Sequence, residues 1–148
     1  MAHAAQSVEL ASPADRVWQL VGDFNSLHEW HPAVEESRLN RADDEDGDGE
    51  TQRTLELAGG GEIRERLEDS DDQQMQYRYS ILDGPLPVEN YVATIRVRAD
   101  GVNRCTVEWT SDFDPVGVKD AEAVQIIEGI YSAGLENLRK LFGAPAAR

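Results

Sequence analysis

The middle of the chain alternates between apolar and polar residues with a period of two. Five segments share this pattern: residues 52–57, 63–68, 75–81, 91–98 and 105–113. Such alternation is typical of β-strands, and strands with one apolar and one polar face predict an antiparallel sheet that is covered on one side only. The short connections between the segments predict hairpins, and a further turn is expected at residues 43–49.

Both ends of the chain carry helical signals. Apolar residues recur with a helical period from about residue 118 to residue 142, and Gly143 follows as a stop signal. Near the start, Pro13 is expected at the first position of a short helix, and residues 22–32 predict a second short helical or turn segment. A short strand at residues 8–10 is expected before them.

Together these elements predict an α+β protein with a helix-grip fold. In this fold a curved antiparallel sheet wraps around a long C-terminal helix, and two short helices close one end. A single helix covers a strip only about 10 Å wide, which is less than the apolar face of such a sheet. The remaining space must be an internal ligand cavity or be filled by large side chains. The length of 148 residues predicts a single domain over residues 1–148.

The composition narrows the range of partners and compartments. Lys and Arg number 14 against 29 for Asp and Glu, so the formal net charge is −15 and we expect no nucleic-acid partner. The acidity is spread along the chain, as in proteins adapted to a high-salt cytoplasm. No apolar run approaches the roughly 20 residues of a membrane span, so a cytoplasmic protein is expected, either a monomer or a homodimer. The single Cys105 excludes an internal disulfide.

Arg53 and Glu65 are the sharpest candidates for a site. Each occupies an inward position of a predicted strand whose other inward residues are apolar, and a buried charge is costly unless it is paired. A three-residue loop at residues 58–60 would place the two directly opposite each other, whereas a five-residue loop would place them diagonally. They are candidate catalytic and ligand-binding residues, and the alternative is a purely structural ion pair.

Large aromatic residues are the second group of candidates. Four of them are expected to face the cavity, either as an aromatic cage for a ligand or as core filling: Tyr79, Tyr91, Trp109 and Tyr131. Trp30, beside Pro32, is expected either at the cavity mouth or as a cap on the short helices.

Metal and nucleophile motifs are weak in this sequence. His28 and His31 are three residues apart, but no third ligand is evident, and a solvated helix end is the preferred interpretation. Residues 44–49 imitate the start of a calcium loop, but Leu55 stands where a bidentate Glu belongs. Ser111 has no His or Asp partner placed by any motif. We therefore expect neither a metal nor a cofactor.

Several of these residues also carry a family resemblance. The segments are residues 27–32 (LHEWHP), 53–55 (RTL), 61–67 (GEIRERL), 90–91 (NY) and 134–138 (GLENL). In this order they resemble the polyketide cyclase/dehydrase and lipid-transport family (SRPBCC), which belongs to the START and birch-pollen-allergen superfamily. The resemblance spans nearly the whole chain and implies the same helix-grip fold with a cavity.

Within that superfamily, residues 56–91 resemble the plant abscisic-acid receptors, whose cavity is closed by two loops. By this resemblance residues 58–61 form a gate loop and residues 84–88, with Leu86 as a ligand contact, form a latch loop. Glu65, Tyr91 and Asn137 fall at positions that hold ligand-linked water. Glu36 stands where those receptors have a lysine that anchors a ligand carboxylate, which argues against a carboxylic-acid ligand.

Three functional hypotheses follow. The first is a binding protein or carrier for a small apolar or aromatic molecule. The second is a cyclase- or dehydratase-type enzyme in which Glu65 and Arg53 handle protons while the cavity holds a reactive chain. The third is a ligand-gated partner of another protein that uses the gate and latch loops.

Overall fold

The computed structural model describes residues 1–41 and 51–145. The predicted turn at residues 43–49 and the calcium-like segment at residues 44–49 therefore lie outside the described residues. Leu55, which stands at the twelfth position of that calcium-like pattern, is described. In the described part, the strands are β1 (Ala2–Leu10), β2 (Val34–Arg41), β3 (Thr51–Leu57), β4 (Glu62–Asp71), β5 (Gln76–Asp83), β6 (Val88–Gly101) and β7 (Arg104–Pro115). The helices are α1 (Ala14–Val21), α2 (Leu27–Trp30) and α3 (Asp120–Phe142).

The described strands form one antiparallel sheet in the order β1-β7-β6-β5-β4-β3-β2. The chain starts at one edge with β1, crosses to the other edge through α1 and α2, and returns strand by strand until β7 pairs with β1. The five predicted segments correspond to β3 through β7. The predicted inward residues of β6 and β7 are all buried, which confirms those two faces. In β3 to β5 the alternation is less clean, because inward Leu57 and Ile81 are only partly buried whereas outward Thr54 and Ser80 are buried.

The long helix α3 packs chiefly against β1 and β7. It begins at Asp120, close to the predicted start, and ends as expected before Gly143, whose φ of 86° is readily adopted by glycine. Its buried face holds Ala123, Ile127, Tyr131, Gly134, Leu135 and Leu138. No helix in residues 1–41 and 51–145 combines the length and apolar character needed to cross a membrane.

Two local details differ from the sequence prediction. Pro13 is the N-cap of α1 and not its first helical residue, because its ψ of 143° is extended. The strand β5 begins at Gln76 because Met75 has a positive φ of 52°, which interrupts the extended backbone. Neither difference changes which side chains face inward.

Gly134 on α3 lies against the end of α2 and the residue that follows it. A Cβ atom at this position would lie 2.6 Å from Cδ2 of His31 and 3.0 Å from Cζ3 of Trp30. Only a residue without a side chain fits there without displacing these rings. The end of α2 is thereby packed against the middle of α3.

Candidate ligand-binding site

A cavity of about 180 Å³ lies between the inner face of the sheet and α3. Because α3 packs chiefly on β1 and β7, the inner faces of β3, β4 and β5 are left to bound the cavity. Leu27 of α2 and Ile127 of α3 close the opposite side. The lining is mostly aliphatic and aromatic, with polar groups from Glu65, His31, Trp109 and three tyrosines.

Arg53 and Glu65 lie directly opposite each other on β3 and β4. The hairpin closes through a hydrogen bond of 3.0 Å from Leu57 N to Gly61 O, which leaves a three-residue loop. Nε of Arg53 donates to Oε1 of Glu65 at 2.7 Å, and Nη2 lies 2.7 Å from the same oxygen. The side chains are 0 % and 5 % exposed. The predicted inward placement is therefore confirmed, and of the two pairings that the loop length left open the structure shows the direct one.

The two members of this pair face different surroundings. Arg53 lies behind the cavity wall, where Nη1 donates to the carbonyl oxygen of Phe24 at 2.7 Å and the guanidinium carbon lies 4.0 Å from the centre of the Phe24 ring. Glu65 lines the cavity itself. Since both Arg53 contacts reach Oε1, Oε2 of Glu65 accepts no hydrogen bond from the described residues. Arg53 thus orients a carboxylate whose second oxygen is left for the cavity.

Burial and pairing act in opposite directions on the ionisation of this pair. Burial raises the pKa of Glu65 above its ordinary value, and the nearby Arg53 offsets only part of this rise. Burial alone would lower the pKa of Arg53, but its interactions with Tyr77 and Glu65 outweigh that effect and raise it. The arginine therefore stays charged, and the glutamate is the member that can take up a proton.

Three tyrosine hydroxyls and one indole form a continuous hydrogen-bonded row. Nε1 of Trp109 donates to the hydroxyl of Tyr79 at 3.0 Å, which lies 3.2 Å from the hydroxyl of Tyr91. The Tyr91 hydroxyl is in turn hydrogen-bonded to the hydroxyl of Tyr131. The Trp109 and Tyr131 rings stack with centroids 4.2 Å apart. Burial raises the pKa of all three tyrosines, so they are neutral phenols at physiological pH.

Trp30 and Asn137 do not line the cavity within the described part of the chain. The Trp30 ring is buried beside Trp109, with centroids 5.6 Å apart, and Nδ2 of Asn137 donates to the main-chain oxygen of Trp30 at 2.8 Å. These two residues join α2 to α3. Of the predicted ligand-binding residues, the structure brings Glu65, Tyr79, Leu86, Tyr91, Trp109 and Tyr131 to the cavity wall and leaves Trp30, Asn137 and Arg53 behind it.

His31 is not part of a solvated helix end, so that interpretation was wrong. It is 2 % exposed and lines the cavity. Its Nε2 donates to the carbonyl oxygen of Ile130 at 2.7 Å, and its Nδ1 accepts from the backbone N of Ala33 at 3.1 Å. Burial lowers its pKa, so the ring is neutral. Within the described residues, no group of three or more His, Cys, Asp or Glu is placed to hold a metal.

The gate loop (residues 58–61) and the latch loop (residues 84–88) lie next to each other. A Cβ on Gly61 would be 3.9 Å from Cγ of Pro85, and Ala58 and Leu86 both line the cavity. Gly59, Gly60 and Gly61 have φ values of 89°, 103° and 99°, which require glycine or cost strain. The two loops are therefore placed to form the rim of the cavity.

Glu36 lies on the outer face of the sheet and not in the cavity. A β-bulge between Val34 and Glu36 turns Val34 and Ser37 inward and leaves the Glu36 side chain 59 % exposed, 3.7 Å from Arg38. The inference from a lysine replaced by Glu36 was therefore wrong, because Glu36 cannot face a ligand. The charge that a ligand meets is instead set by the residues of the cavity wall.

A surface groove lies directly outside the cavity, and the sequence did not suggest it. Pairing between β5 and β6 ends at Ser80 and Val92, and beyond this point the two strands separate. The groove formed there shares four lining residues with the cavity, namely Ile63, Ile81, Leu86 and Tyr91. These four side chains thus border both the cavity and the groove.

A curved antiparallel sheet gripping a C-terminal helix around an internal cavity defines the helix-grip class. Residues 1–143 match the family described as polyketide cyclase / dehydrase and lipid transport, and the chain belongs to this family. No curated protein matches the chain significantly.

Solved structures agree with this fold. The protein XoxI from Bacillus cereus is 42 % identical, with 96 % of each chain covered and a TM-score of 0.87. The Zhui aromatase/cyclase from Streptomyces sp. R1128 is 21 % identical, with 98 % of each chain covered and a TM-score of 0.72. A START superfamily protein from Mycobacterium smegmatis is 17 % identical, with 93 % of this chain and 92 % of that chain covered and a TM-score of 0.68. The last two show a shared fold.

Proposed function

We propose that the protein binds a small, largely apolar or aromatic molecule in the cavity between the sheet and α3. The observation that carries this proposal is a mostly apolar cavity of about 180 Å³ in which one carboxylate oxygen, Oε2 of Glu65, has no hydrogen-bond donor from the described residues. Concave, mostly apolar sites with a few placed polar groups are typical of small-molecule binding. Membership of the polyketide cyclase / dehydrase and lipid transport family supports the same function.

Native mass spectrometry of the freshly purified protein tests this proposal. We expect an additional small mass that is lost on denaturation and can then be identified by extraction. The variant Val34→Phe, which places a larger side chain in the cavity wall, should lose this mass. Val102→Phe makes the same substitution in the turn between β6 and β7, where the residue is exposed and lines neither the cavity nor the groove, and should retain it. If both variants retain the mass equally, the molecule does not occupy the cavity and the proposal is refuted.

A cyclase- or dehydratase-type activity is the second candidate, and the position of Glu65 favours it. A buried carboxyl group with a raised pKa that faces a cavity can act as a general acid or base. In that case Glu65 would be the catalytic residue and Arg53, which does not reach the cavity, would be a positioning residue. An enzyme must convert the extracted molecule to a product of different mass or absorbance, and Glu65→Gln must abolish the conversion. A carrier is only stabilised by the molecule.

A further inference from the structure

We propose that the ligand is a neutral, single-ring molecule with one hydroxyl group, of which a phenol is the simplest example. Its hydroxyl donates a hydrogen bond to Oε2 of Glu65 and accepts one from the tyrosine row (Tyr79, Tyr91 and Tyr131). This inference rests on the proposed function, since it names the chemistry of the molecule that the cavity binds.

The size of the cavity limits the ligand to about one ring. An apolar cavity of roughly 150 Å³ is sufficient for benzene, and sites for drug-sized ligands measure about 300–1,000 Å³. At about 180 Å³, this cavity holds one ring with a small substituent. A long acyl chain or a fused polycyclic product would not fit without displacement of the wall.

The tyrosine row has one more hydroxyl hydrogen than is needed for the hydrogen bonds within the row. The three hydroxyls of Tyr79, Tyr91 and Tyr131 are joined by two hydrogen bonds, and each hydroxyl carries one hydrogen. The indole of Trp109 already supplies a donor to Tyr79. Whichever way the row is oriented, one hydroxyl hydrogen points outside it. The row can therefore donate this hydrogen either to the unpaired Oγ of Ser111, which lies near Tyr131, or to a group in the cavity.

Glu65 supplies the complementary acceptor close to this row. It pairs with Ile81 on β5, and Tyr79 lies two residues before Ile81 on the same inner face, so Glu65 and Tyr79 are diagonal neighbours. Oε2 is the carboxylate oxygen that Arg53 does not contact. A ligand must then accept from a hydroxyl and donate to a carboxylate. A hydroxyl group does both, whereas a ketone or an ether has no hydrogen to donate.

The charges around the cavity favour a neutral ligand. Arg53 and Glu65 already balance each other, and the described lining residues include no Lys or Arg. A carboxylate ligand would meet Glu65 without a cation of its own, and an ammonium ligand would leave one net positive charge buried. Both are costly in a medium of low dielectric constant. A neutral hydroxyl adds no charge.

Titration calorimetry with five probes that share one methyl-substituted benzene ring tests this inference: p-cresol, toluene, 4-methylanisole, p-toluate and 4-methylbenzylamine. We expect p-cresol to bind at least about tenfold more tightly than toluene or 4-methylanisole, because hydrogen bonds to a charged acceptor are stronger than those between neutral groups. The two charged probes should bind more weakly than toluene.

Two double variants test whether Glu65 causes the preference for p-cresol over toluene. In Arg53→Met with Glu65→Leu, which removes both charges together, toluene should still bind and the preference for p-cresol should fall to within about threefold. Arg98→Met with Glu108→Leu removes an exposed ion pair of 2.9 Å on the outer face and should keep the full preference. If the inner double variant keeps the full preference, Glu65 does not recognise the hydroxyl and the inference fails.

The outcomes separate this inference from the proposed function. If toluene binds as tightly as p-cresol, or if p-toluate or 4-methylbenzylamine binds most tightly, the assigned ligand class is wrong and cavity binding stands. If none of the five probes binds and native mass spectrometry finds no bound molecule, the proposed function fails and the inference fails with it.

Discussion

The two members of the Arg53–Glu65 pair should respond differently when their partner is removed. Replacing one member of a buried pair strands the other charge, at a cost of about 3–5 kcal/mol. The stranded Glu65 in Arg53→Met can escape this cost by taking up a proton. The stranded Arg53 in Glu65→Leu cannot, because a guanidinium does not deprotonate in proteins. The carboxyl substitution should therefore be the more damaging one.

The free-energy cost of protonating Glu65 sets an upper limit on the loss of folding stability in Arg53→Met. Each pH unit above the ordinary pKa of 4.5 costs about 1.36 kcal/mol. This amounts to about 3.4 kcal/mol at pH 7 and about 1.4 kcal/mol at pH 5.5. The destabilisation of Arg53→Met should thus shrink by up to about 2 kcal/mol between these pH values. That of Glu65→Leu should not shrink, because this variant lacks the carboxyl group whose raised pKa lets the wild type gain stability as the pH falls. The double variant should lie close to the wild type at both.

Urea denaturation followed by circular dichroism at pH 7 and pH 5.5 measures these differences for the wild type, both single variants and the double variant. Typical domains unfold with only 5–15 kcal/mol, so the expected losses are large enough to resolve. Two results would contradict this coupling. The stability losses of the single variants could add up in the double variant, or the stability loss of Arg53→Met could be the same at both pH values.

Three further predictions concern other parts of the fold. In the same urea assay, Gly134→Ala should destabilise the protein by about 1–3 kcal/mol, because the added methyl group overlaps the rings of Trp30 and His31. The control Gly129→Ala adds a methyl group in open space on the same helix and should be neutral or stabilising by about 0.5–1 kcal/mol. The wild type should lose stability relative to His31→Gln as the pH falls from 7.5 to 5.5. The reason is that the pKa of His31 is lowered in the folded state, so below about 6.5 only the unfolded state takes up a proton. A stability difference that does not change with pH would contradict this. A saturating ligand should slow hydrogen exchange in residues 58–61 and 84–88, and unchanged exchange in both would remove the basis for the gate and latch.

The sheet was predictable from sequence wherever a strand has one apolar face. The period of two identified the inward residues most cleanly in β6 and β7, and the loop before Gly61 allowed the observed pairing of Arg53 with Glu65 as one of two registers. The strand β2 was not identified, because it lies at the sheet edge with a bulge and only Val34 and Ser37 are described as buried. An edge strand of this kind carries little alternation for a sequence pattern to reveal.

The site was predictable only in part, because its geometry depends on contacts between distant segments. The inward tyrosines followed from strand and helix periodicity, but their hydroxyl row depends on how α3 is rotated over the sheet. The partner of His31 is Ile130, which is 99 residues away. Trp30 and Asn137 were expected at the ligand and instead bond to each other. The volume of the cavity likewise depends on side-chain packing across all these elements.

The separation of β5 and β6 beyond Ser80 and Val92 affects how fast a ligand can enter and leave the cavity. A molecule that moves between the groove and the cavity passes between strands that are not joined by ladder hydrogen bonds at that point. Side chains that border both spaces, such as Leu86 and Ile81, must then move aside. Rotamer changes of exposed side chains occur in picoseconds to nanoseconds, whereas local unfolding takes microseconds to seconds. Residence times should therefore follow affinity and not the stability of the fold, and variants that weaken folding should leave the dissociation rate unchanged.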